Sequence, residues 1–391
     1  MFDRTTSSGR RALALTATAL LGGALVAGCG GASTPGGGGG PVATAASGKL
    51  TTINIGTPNS NNPPQSVNFE IGDYLGYYQQ QGLSPTFQNL GSPQAVLSAL
   101  STGKIDFAIL PDTNITATAA KGEKINGTVF YEFAYPLKYG VAVNPDSNVH
   151  SLADLKGTTV GTDSFGQSEY NVGQVLLRDA GVGANDVHWL ATGSGVSSGQ
   201  ALQRNRISAL FYSDAGFGTI LAAGMPMRFL PLGSKVPQIG GQMVLASDKV
   251  WSGNRTLATK LATVIGETST FTLANPTAAA YAYLQQFPTA AAPGQSLRQQ
   301  ITSVELPVRL RMKLFPPPPG LQLGQVDPQN FTDALSFQGL KSMDVSSLYS
   351  NAVTADANKF DTAAVRKAAT GYQVPGISGQ VPVPTIPAGT P

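Results

Sequence analysis

The feature that most constrains the fold is an alternation of strands and helices that occurs twice along the chain. Residues 50–110 contain three short apolar strand patterns separated by two helical patterns, and residues 158–211 repeat that order. Single apolar strands at 139–143 and 242–245 lie between and after the two repeats. Strands separated by single helices form parallel sheets through right-handed crossovers. The sequence therefore predicts an α/β protein with two similar lobes and two crossing strands.

Local signals set the predicted element boundaries. Ser92 and Pro93 form an N-cap and first helical residue for a helix at 94–102. A first helix is predicted over 69–81, ended by Gly82. Residues 254–286 have apolar side chains near a 3.6-residue period, which predicts a helix-rich segment.

The N-terminus has the pattern of an export signal. Basic residues Arg4, Arg10 and Arg11 precede an apolar stretch at 12–28, and Val26-Ala27-Gly28 leads into Cys29, the only cysteine. This is the order of a secretory signal, and the last four residues resemble a bacterial lipobox. The resemblance implies that Cys29 is lipidated and becomes the mature N-terminus. A transmembrane helix and a buried cysteine remain alternatives, and export through the twin-arginine route stays open.

Composition distinguishes two flexible segments of the remaining chain from its folded part. Residues 29–48 are rich in Gly, Ser, Thr and Ala, which predicts a flexible tether, and residues 373–391 predict a disordered proline-rich tail. Within the folded part, residues 49–138 and 242–372 are assigned to lobe 1 and residues 139–241 to lobe 2.

Charge and rare residues exclude several function classes. Removal of residues 1–28 takes away three arginines and one aspartate, which lowers the net charge from +3 to +1. That balance does not fit a nucleic-acid-binding surface. With two histidines, His150 and His188, and one cysteine, a metal centre and a Ser-His-Asp triad are disfavoured, and no cofactor is expected. No catalytic residue is assigned.

Five stretches, taken in order, resemble a known family. They are the following: IGDYLGYYQQQGL at 71–83, AVLSALSTGKIDFAI at 95–109, SLADLKGTTV at 151–160, ALQRNRISAL at 201–210, and GQVDPQNFTDALSFQGLKSMDVSSLY at 324–349. Together they resemble the nitrate/sulfonate/taurine and thiamine-pyrimidine branch of the periplasmic substrate-binding proteins. The fourth stretch departs from the family pattern, because Ser208 replaces an acidic residue, and the Pro316–Pro319 run has no counterpart.

The resemblance implies a type II periplasmic binding protein fold, with the ligand in a cleft between the lobes. It also implies a monomeric, non-enzymatic lipoprotein of an ABC importer. Such a protein is anchored on the outer face of the cell membrane and delivers a small solute to a permease. An enzyme on the same scaffold, of the pyrimidine or menaquinone-pathway type, and a ligand-presenting receptor subunit are the alternatives.

The candidate ligand-binding residues follow from the loops at the carboxyl ends of the predicted strands, where open α/β sheets bind ligands. They are Asn59, Ser60, Asn61, Ser92, Asp112, Thr113, Asn114, Tyr131, Asp163, Ser164, Phe165, Ser168, Thr192, Ser194, Tyr212 and Asp214. For the asparagines and the helix-starting serines, turn and capping roles are open alternatives. Tyr131, Phe133, Tyr135, Phe165, Tyr170 and Tyr212 are candidate aromatic walls, with core packing as the alternative.

These loops contain Asp112, Asp163 and Asp214 and no lysine or arginine. A sulfonate or nitrate site gains from a bidentate arginine. The loops therefore favour a neutral or weakly cationic ligand, such as a flat heterocycle, over the anions of the resembling family.

Overall fold

A computed structural model describes residues 39–135, 138–232, 239 and 241–391. The signal segment, Cys29 and the first part of the tether lie outside the described residues. Among the described helices, none has the length and apolar character needed to cross a membrane.

The first sheet contains five strands in the order β2-β1-β3-β10-β4. Their bounds are β1 Thr51–Thr57, β2 Leu83–Asn89, β3 Phe107–Pro111, β4 Gly127–Ala134 and β10 Gln242–Ser247. Strands β1, β2 and β3 are parallel, as the strand–helix alternation predicts, whereas β10 lies antiparallel between β3 and β4.

The second sheet repeats this arrangement in the order β7-β6-β8-β5-β9. Its strands are β5 Tyr139–Val143, β6 Thr159–Thr162, β7 His188–Ala191, β8 Ala209–Ser213 and β9 Arg228–Phe229. The two sheets also share one specific contact between a glycine and an isoleucine. A Cβ placed on Gly56 of β1 would lie 2.5 Å from Ile105 Cδ1, and one on Gly161 of β6 would lie 2.5 Å from Ile207 Cδ1. The two-lobed α/β prediction is confirmed.

Helices connect and cover both sheets. They are α1 Val67–Glu70, α2 Tyr77–Gln80, α3 Pro93–Ser101, α4 Asp112–Ala120, α5 Ser168–Asp179, α6 Val196–Gln203, α7 Asp214–Ala222, α8 Asp248–Gly253, α9 Arg255–Ala274, α10 Pro276–Gln286, α11 Leu297–Met312, α12 Pro328–Phe337, α13 Thr354–Ala357 and α14 Thr362–Gly371. Ser92 caps α3, because its side chain accepts a hydrogen bond from Ala95 N at 3.2 Å.

The helix predicted over 69–81 is instead two short helices, α1 and α2. Gly76 has φ of 87°, in the left-handed region that a continuing helix excludes. A Cβ on Gly72 would lie 2.7 Å from Thr268 Oγ1, so this turn packs closely against α9. The break therefore results from close packing, which the apolar period alone does not reveal.

Alternate residues of the central strands supply separate cores on the two faces of each sheet. In β3, Phe107 and Ile109 enter one core whereas Ala108 and Leu110 enter another. Burial of both faces fits strands that read as continuous apolar runs. Each phenylalanine, isoleucine or leucine among them contributes about 1.5–3 kcal/mol when it is fully buried.

Helix α11 packs on both lobes. Ile301 and Val304 belong to a core of the first sheet, and Leu306 to a core of the second. A Cβ on Gly218 of α7 would lie 2.5 Å from Pro307 Cα, so the absence of that Cβ lets α11 approach α7 closely.

The two segments predicted to be unstructured differ from that prediction where the structure describes them. Val42 N and Ala43 N donate hydrogen bonds to Leu75 O at 2.9 and 3.1 Å, so the second part of the tether packs on the first lobe. In the C-terminal tail, Val381 is buried in the first-sheet core. Scattered valines and isoleucines provide enough apolar surface for docking although the composition is poor in large hydrophobic residues.

Candidate functional site

A cavity of about 70 Å³ lies between the two sheets, at the carboxyl ends of their parallel strands. Its lining comes from both lobes and from α11. The lining residues are Pro58, Asn59, Gln65, Ser66, Phe69, Ile109, Pro111, Phe133, Lys138, Gln167, Ser168, Glu169, Ser213, Gln242 and Arg311. The position agrees with the expectation of an inter-lobe cleft.

Among the described residues, Lys138 is one of two basic residues that line this cavity, the other being Arg311. It directly precedes β5 and is 4% exposed. Its ammonium lies 5.0 Å from the centre of the Tyr139 ring, and no ion pair or side-chain hydrogen bond joins it to any residue in the described part of the chain. Burial, reinforced by the neighbouring Arg311 charge, lowers the pKa of Lys138 to about 8, although Glu169, Asp214 and Asp112 oppose the change. The side chain therefore remains mostly protonated at neutral pH.

Arg311 reaches the cavity from α11, where Asp214 holds it. Its Nε and Nη2 donate to the Asp214 carboxylate at 2.7 and 2.6 Å, and both residues are buried. Burial alone would lower the pKa of Arg311, but the charge and hydrogen bonds of Asp214 outweigh it and raise the pKa. Asp214, for which the loop pattern predicts a ligand contact, is thus an ion-pair partner in the structure.

Glu169 is the carboxylate that faces the cavity from the first turn of α5. No hydrogen bond or ion pair links its side chain to another described residue. Nearby, burial and then the charge of Glu169 raise the pKa of Asp163 to about 8. Asp163 accepts a hydrogen bond from Ser164 N at 2.7 Å.

Asp112, a predicted ligand contact, forms hydrogen bonds within the protein. The residue is fully buried at the start of α4, and its carboxylate accepts hydrogen bonds from Thr113 N at 2.6 Å and Gly241 N at 3.1 Å. These bonds tie α4 to the segment that leads into β10. Such donors offset the cost of burying a charged group.

Several other predicted ligand residues also have internal partners. Ser92 caps α3, as described above. Thr192 Oγ1 donates to Thr162 O at 2.8 Å, Tyr212 Oη accepts from Gly195 N at 2.7 Å, and Tyr131 packs against Gly324. For Ser92, Tyr131 and Tyr212 these contacts correspond to the sequence alternatives of capping and core packing.

The remaining predicted residues lie near or outside the cavity. Asn59 and Ser168 line it, as does the aromatic candidate Phe133. Ser60, Asn61, Phe165 and Ser194 are exposed, Ser164 is partly exposed, and Thr113 is buried.

Two hydrogen bonds join the lobes beside the cavity. Ser168 Oγ donates to Asn114 Oδ1 at 2.7 Å, and Gln167 Nε2 donates to Pro58 O at 3.4 Å. Both donors come from the start of α5 and both acceptors from lobe 1. The predicted residues Ser168 and Asn114 thus meet across the boundary between the lobes.

Two basic side chains line the cavity although the strand-end loops contain none. The loops lack lysine and arginine, as the sequence shows, but Lys138 and Arg311 reach the cavity from other elements. A signal for Arg311 was present, because Val304, Val308 and Arg311 have the spacing of one helix face, and the two valines are buried. Lys138 had no comparable signal beyond its place before a crossing strand.

The profile of the NMT1/THI5-like family matches residues 64–279, more than half of the chain. The chain belongs to the NMT1/THI5-like family. A search of curated proteins gives no match.

Solved structures with similar folds include two sulfonate-binding proteins. The alkanesulfonate-binding protein SsuA from Xanthomonas axonopodis pv. citri, bound to MOPS, is 16% identical, with a TM-score of 0.55 over 80% of this chain and 99% of that chain. The periplasmic aliphatic sulphonate-binding protein SsuA from Escherichia coli is 18% identical, with a TM-score of 0.55 over 74% and 90%. The Candida albicans CA3427 gene product, described as having the generic periplasmic binding protein fold, is 13% identical, with a TM-score of 0.51 over 87% and 99%. These likenesses identify the fold of this member of the NMT1/THI5-like family as that of periplasmic binding proteins.

Proposed function

We propose that this protein is the extracytoplasmic substrate-binding component of an ABC importer. It captures a small organic solute in the inter-lobe cavity and delivers that solute to a membrane permease. Membership of the NMT1/THI5-like family and the two-lobed fold support this proposal.

The observation that carries the ligand class is the ammonium of Lys138. It is buried at the cavity, and no carboxylate among the described residues forms an ion pair with it. A buried charge is costly until a counter-charge or hydrogen bond compensates it. The first turns of α5 and α7 lie at the same cavity, through Ser168 and Ser213, and the N–H groups of helix N-termini also favour an anion. The ligand therefore carries an anionic head group.

Glu169 adds a second requirement on the same ligand. Its carboxylate faces the cavity and forms no ion pair with Lys138. A solute with an anionic group at one end and an amine or other hydrogen-bond donor at the other matches both side chains. Small amino-sulfonates and amino-carboxylates have this pattern. The neutral or cationic heterocycle expected from the loops becomes the second candidate, because that expectation left out Lys138.

Calorimetry on a ligand panel tests this function. Taurine, ethanesulfonate, β-alanine, ethanolamine and an aminopyrimidine are titrated into the wild-type protein, Lys138→Met and the exposed control Lys121→Met. We expect a zwitterion to bind most tightly, and Lys138→Met to lose about 1.5–3 kcal/mol of its binding free energy. Lys121→Met should bind as wild type. An aminopyrimidine that binds best and is indifferent to Lys138→Met would reverse the ligand assignment.

We propose further that Cys29 carries a lipid that holds the protein on the outer face of the cell membrane. Val26-Ala27-Gly28 before Cys29 and the glycine-rich tract after it support this anchor. Cys29→Ser should release a folded protein that still binds the panel ligand, whereas the wild-type protein should sediment with membranes. A Cys29→Ser protein that stays in the membrane fraction would favour a transmembrane segment instead.

A binding role is favoured over an enzyme on the same scaffold. The cavity lining contains no histidine and no cysteine. Within the described part of the chain, no cluster of three or more histidine, cysteine, aspartate or glutamate side chains could hold a metal ion. Mass spectrometry of the ligand after prolonged incubation tests this point, and recovery of a chemically altered ligand would favour the enzyme.

A further inference from the structure

The C-terminal segment 374–391 crosses from one lobe to the other. Val374 and Ile377 pack on the core of the first sheet, and Val381 is buried in it. Val383 and Ile386 instead pack on the core of the second sheet. The crossing point therefore falls between Val381 and Val383.

Helix α11 holds this segment through its backbone carbonyls. Arg298 donates from Nη1 to Gln380 O at 2.8 Å and from Nη2 to Ser378 O at 2.9 Å. One turn further along the helix, Thr302 Oγ1 donates to Pro382 O at 3.1 Å. Three carbonyls in five residues are thus bound by two side chains of one helix.

The segment is rich in proline, which suits recognition through its backbone carbonyls. Residues 381–387 read Val-Pro-Val-Pro-Thr-Ile-Pro, and no helix or strand forms there. Prolines remove backbone donors and stiffen an extended chain, so carbonyl recognition with apolar pockets binds it at low entropic cost. Arg298 and Thr302 of α11 accordingly bind the backbone of a proline-rich segment.

The far end of the segment reaches the strand next to the cavity lysine. A Cβ on Gly140 of β5 would lie 3.0 Å from Pro391 Cγ, and one on Gly389 would lie 3.4 Å from Phe229 Cβ of β9. Gly140 is two residues after Lys138. The docked segment therefore packs on the strand that Lys138 directly precedes.

From these contacts we propose that residues 374–391 form a strap that ties the two lobes together and limits their opening. The hinge of this protein then consists of more than the two chain crossings expected from the sequence. Docking of the strap on α11 sets how far the lobes separate when the cavity is empty. The proposed strap acts in the ligand-free protein, so its test does not depend on which class of ligand binds.

Distances between spin labels test the strap. Labels are attached to Lys121→Cys in lobe 1 and Asn185→Cys in lobe 2, both exposed, in a Cys29→Ser background. Arg298→Ala combined with Thr302→Val removes the three carbonyl hydrogen bonds, and Arg366→Ala, an exposed arginine on α14, is the matched control. We expect the double variant alone to lengthen and broaden the distance distribution without ligand. Amide exchange in β5 should also accelerate by about tenfold, which corresponds to about 1.4 kcal/mol.

A chain that stops after Tyr372 completes the test. Addition of a synthetic peptide with the sequence 374–391 should restore the wild-type distance distribution, and a scrambled peptide of the same composition should not. If the shortened chain does not fold, the Arg298→Ala and Thr302→Val protein decides the question. An unchanged distance distribution in a folded variant whose segment has been released, as seen by fast amide exchange in 374–391, would overturn the strap.

Discussion

Arg311 and Asp214 form a buried, two-pronged ion pair between α11 and the first residue of α7. The two hydrogen bonds measure 2.7 and 2.6 Å, and the residues are 97 positions apart in the chain. The pair joins a helix from the C-terminal part of the chain to the second lobe. It also fixes the guanidinium at the wall of the cavity.

Loss of this pair should destabilise the protein strongly. Asp214→Ala leaves the Arg311 charge buried without its partner, which typically costs about 3–5 kcal/mol. The control Asp248→Ala breaks the exposed pair with Lys124, 3.2 Å long, and should cost at most about 1 kcal/mol. Urea unfolding of both variants gives the two free energies. Similar small losses in both would mean that solvent compensates Arg311 and that α11 is not anchored by this pair.

Ligand affinity should decrease as the pH rises through about 8. Only the protonated form of Lys138 attracts an anion, and its pKa is lowered to about 8 by burial and by Arg311. Titrations of the tightest-binding panel ligand from pH 6 to 10 check this, with Lys138→Met as the control that should lack the step. An affinity that stays constant from pH 7 to 10 in the wild-type protein would remove Lys138 from the binding site.

The stability contribution of Lys138 itself has the opposite pH dependence. Its pKa is lower in the folded state than its usual 10.5, so the unfolded chain binds more protons between about pH 8 and 10.5. Stability from this group therefore rises with pH in that window. At pH 7, Lys138→Met should be at least as stable as the wild type. A loss of ligand affinity in this variant would then not be caused by unfolding.

Glu70 should make stability fall at higher pH. Its side chain is fully buried in α1, neither carboxylate oxygen has a hydrogen-bond partner within the described chain, and burial raises its pKa well above 4.5. The folded protein then holds a proton that the unfolded chain has released, so stability declines as pH rises above about 4.5, by at most about 1.4 kcal/mol per pH unit.

Glu70→Gln should remove this decline, and Glu123→Gln, an exposed control, should keep it. Chemical unfolding at pH 5, 7 and 9 measures the slopes. Parallel slopes for Glu70→Gln and the wild type would show that the carboxyl group is ionised and compensated in the folded protein.

The repeated glycines of β1 and β6 should be equally intolerant of a side chain. Gly56→Ala and Gly161→Ala place a Cβ 2.5 Å from Ile105 and Ile207 respectively, and overpacking of this kind costs about 1–3 kcal/mol. Ile105→Val removes the contacted methyl group, so it should restore part of the loss when combined with Gly56→Ala. Calorimetric unfolding measures both effects. The control is Gly253→Ala at the end of α8, where nothing lies within 4 Å of the new methyl group. A control that is as destabilised as Gly56→Ala would attribute the loss to backbone effects instead.

Local sequence patterns predicted the elements that local interactions determine. The Ser92 cap, the α5 start at Ser168 and the strand at 139–143 appear in the structure where the sequence places them. The predicted helix at 69–81 is split into α1 and α2. Gly72 packs closely against α9, and Gly76 has a left-handed backbone conformation that a continuing helix excludes. The helical segment at 254–286 likewise becomes α9 and α10, since Pro276 starts a new helix after Asn275.

The sequence by itself determined the two α/β repeats, their parallel strands and the place of the cleft, because alternation, caps and glycine stops act within a few residues. Only the tertiary structure decided the charges of the cavity. Lys138 comes from a chain crossing and Arg311 from a helix 97 positions beyond its partner Asp214, so no local pattern brings them together. The same holds for residues 374–391, whose composition suggests an unstructured tail, whereas the surface of α11 supplies the partners that order them.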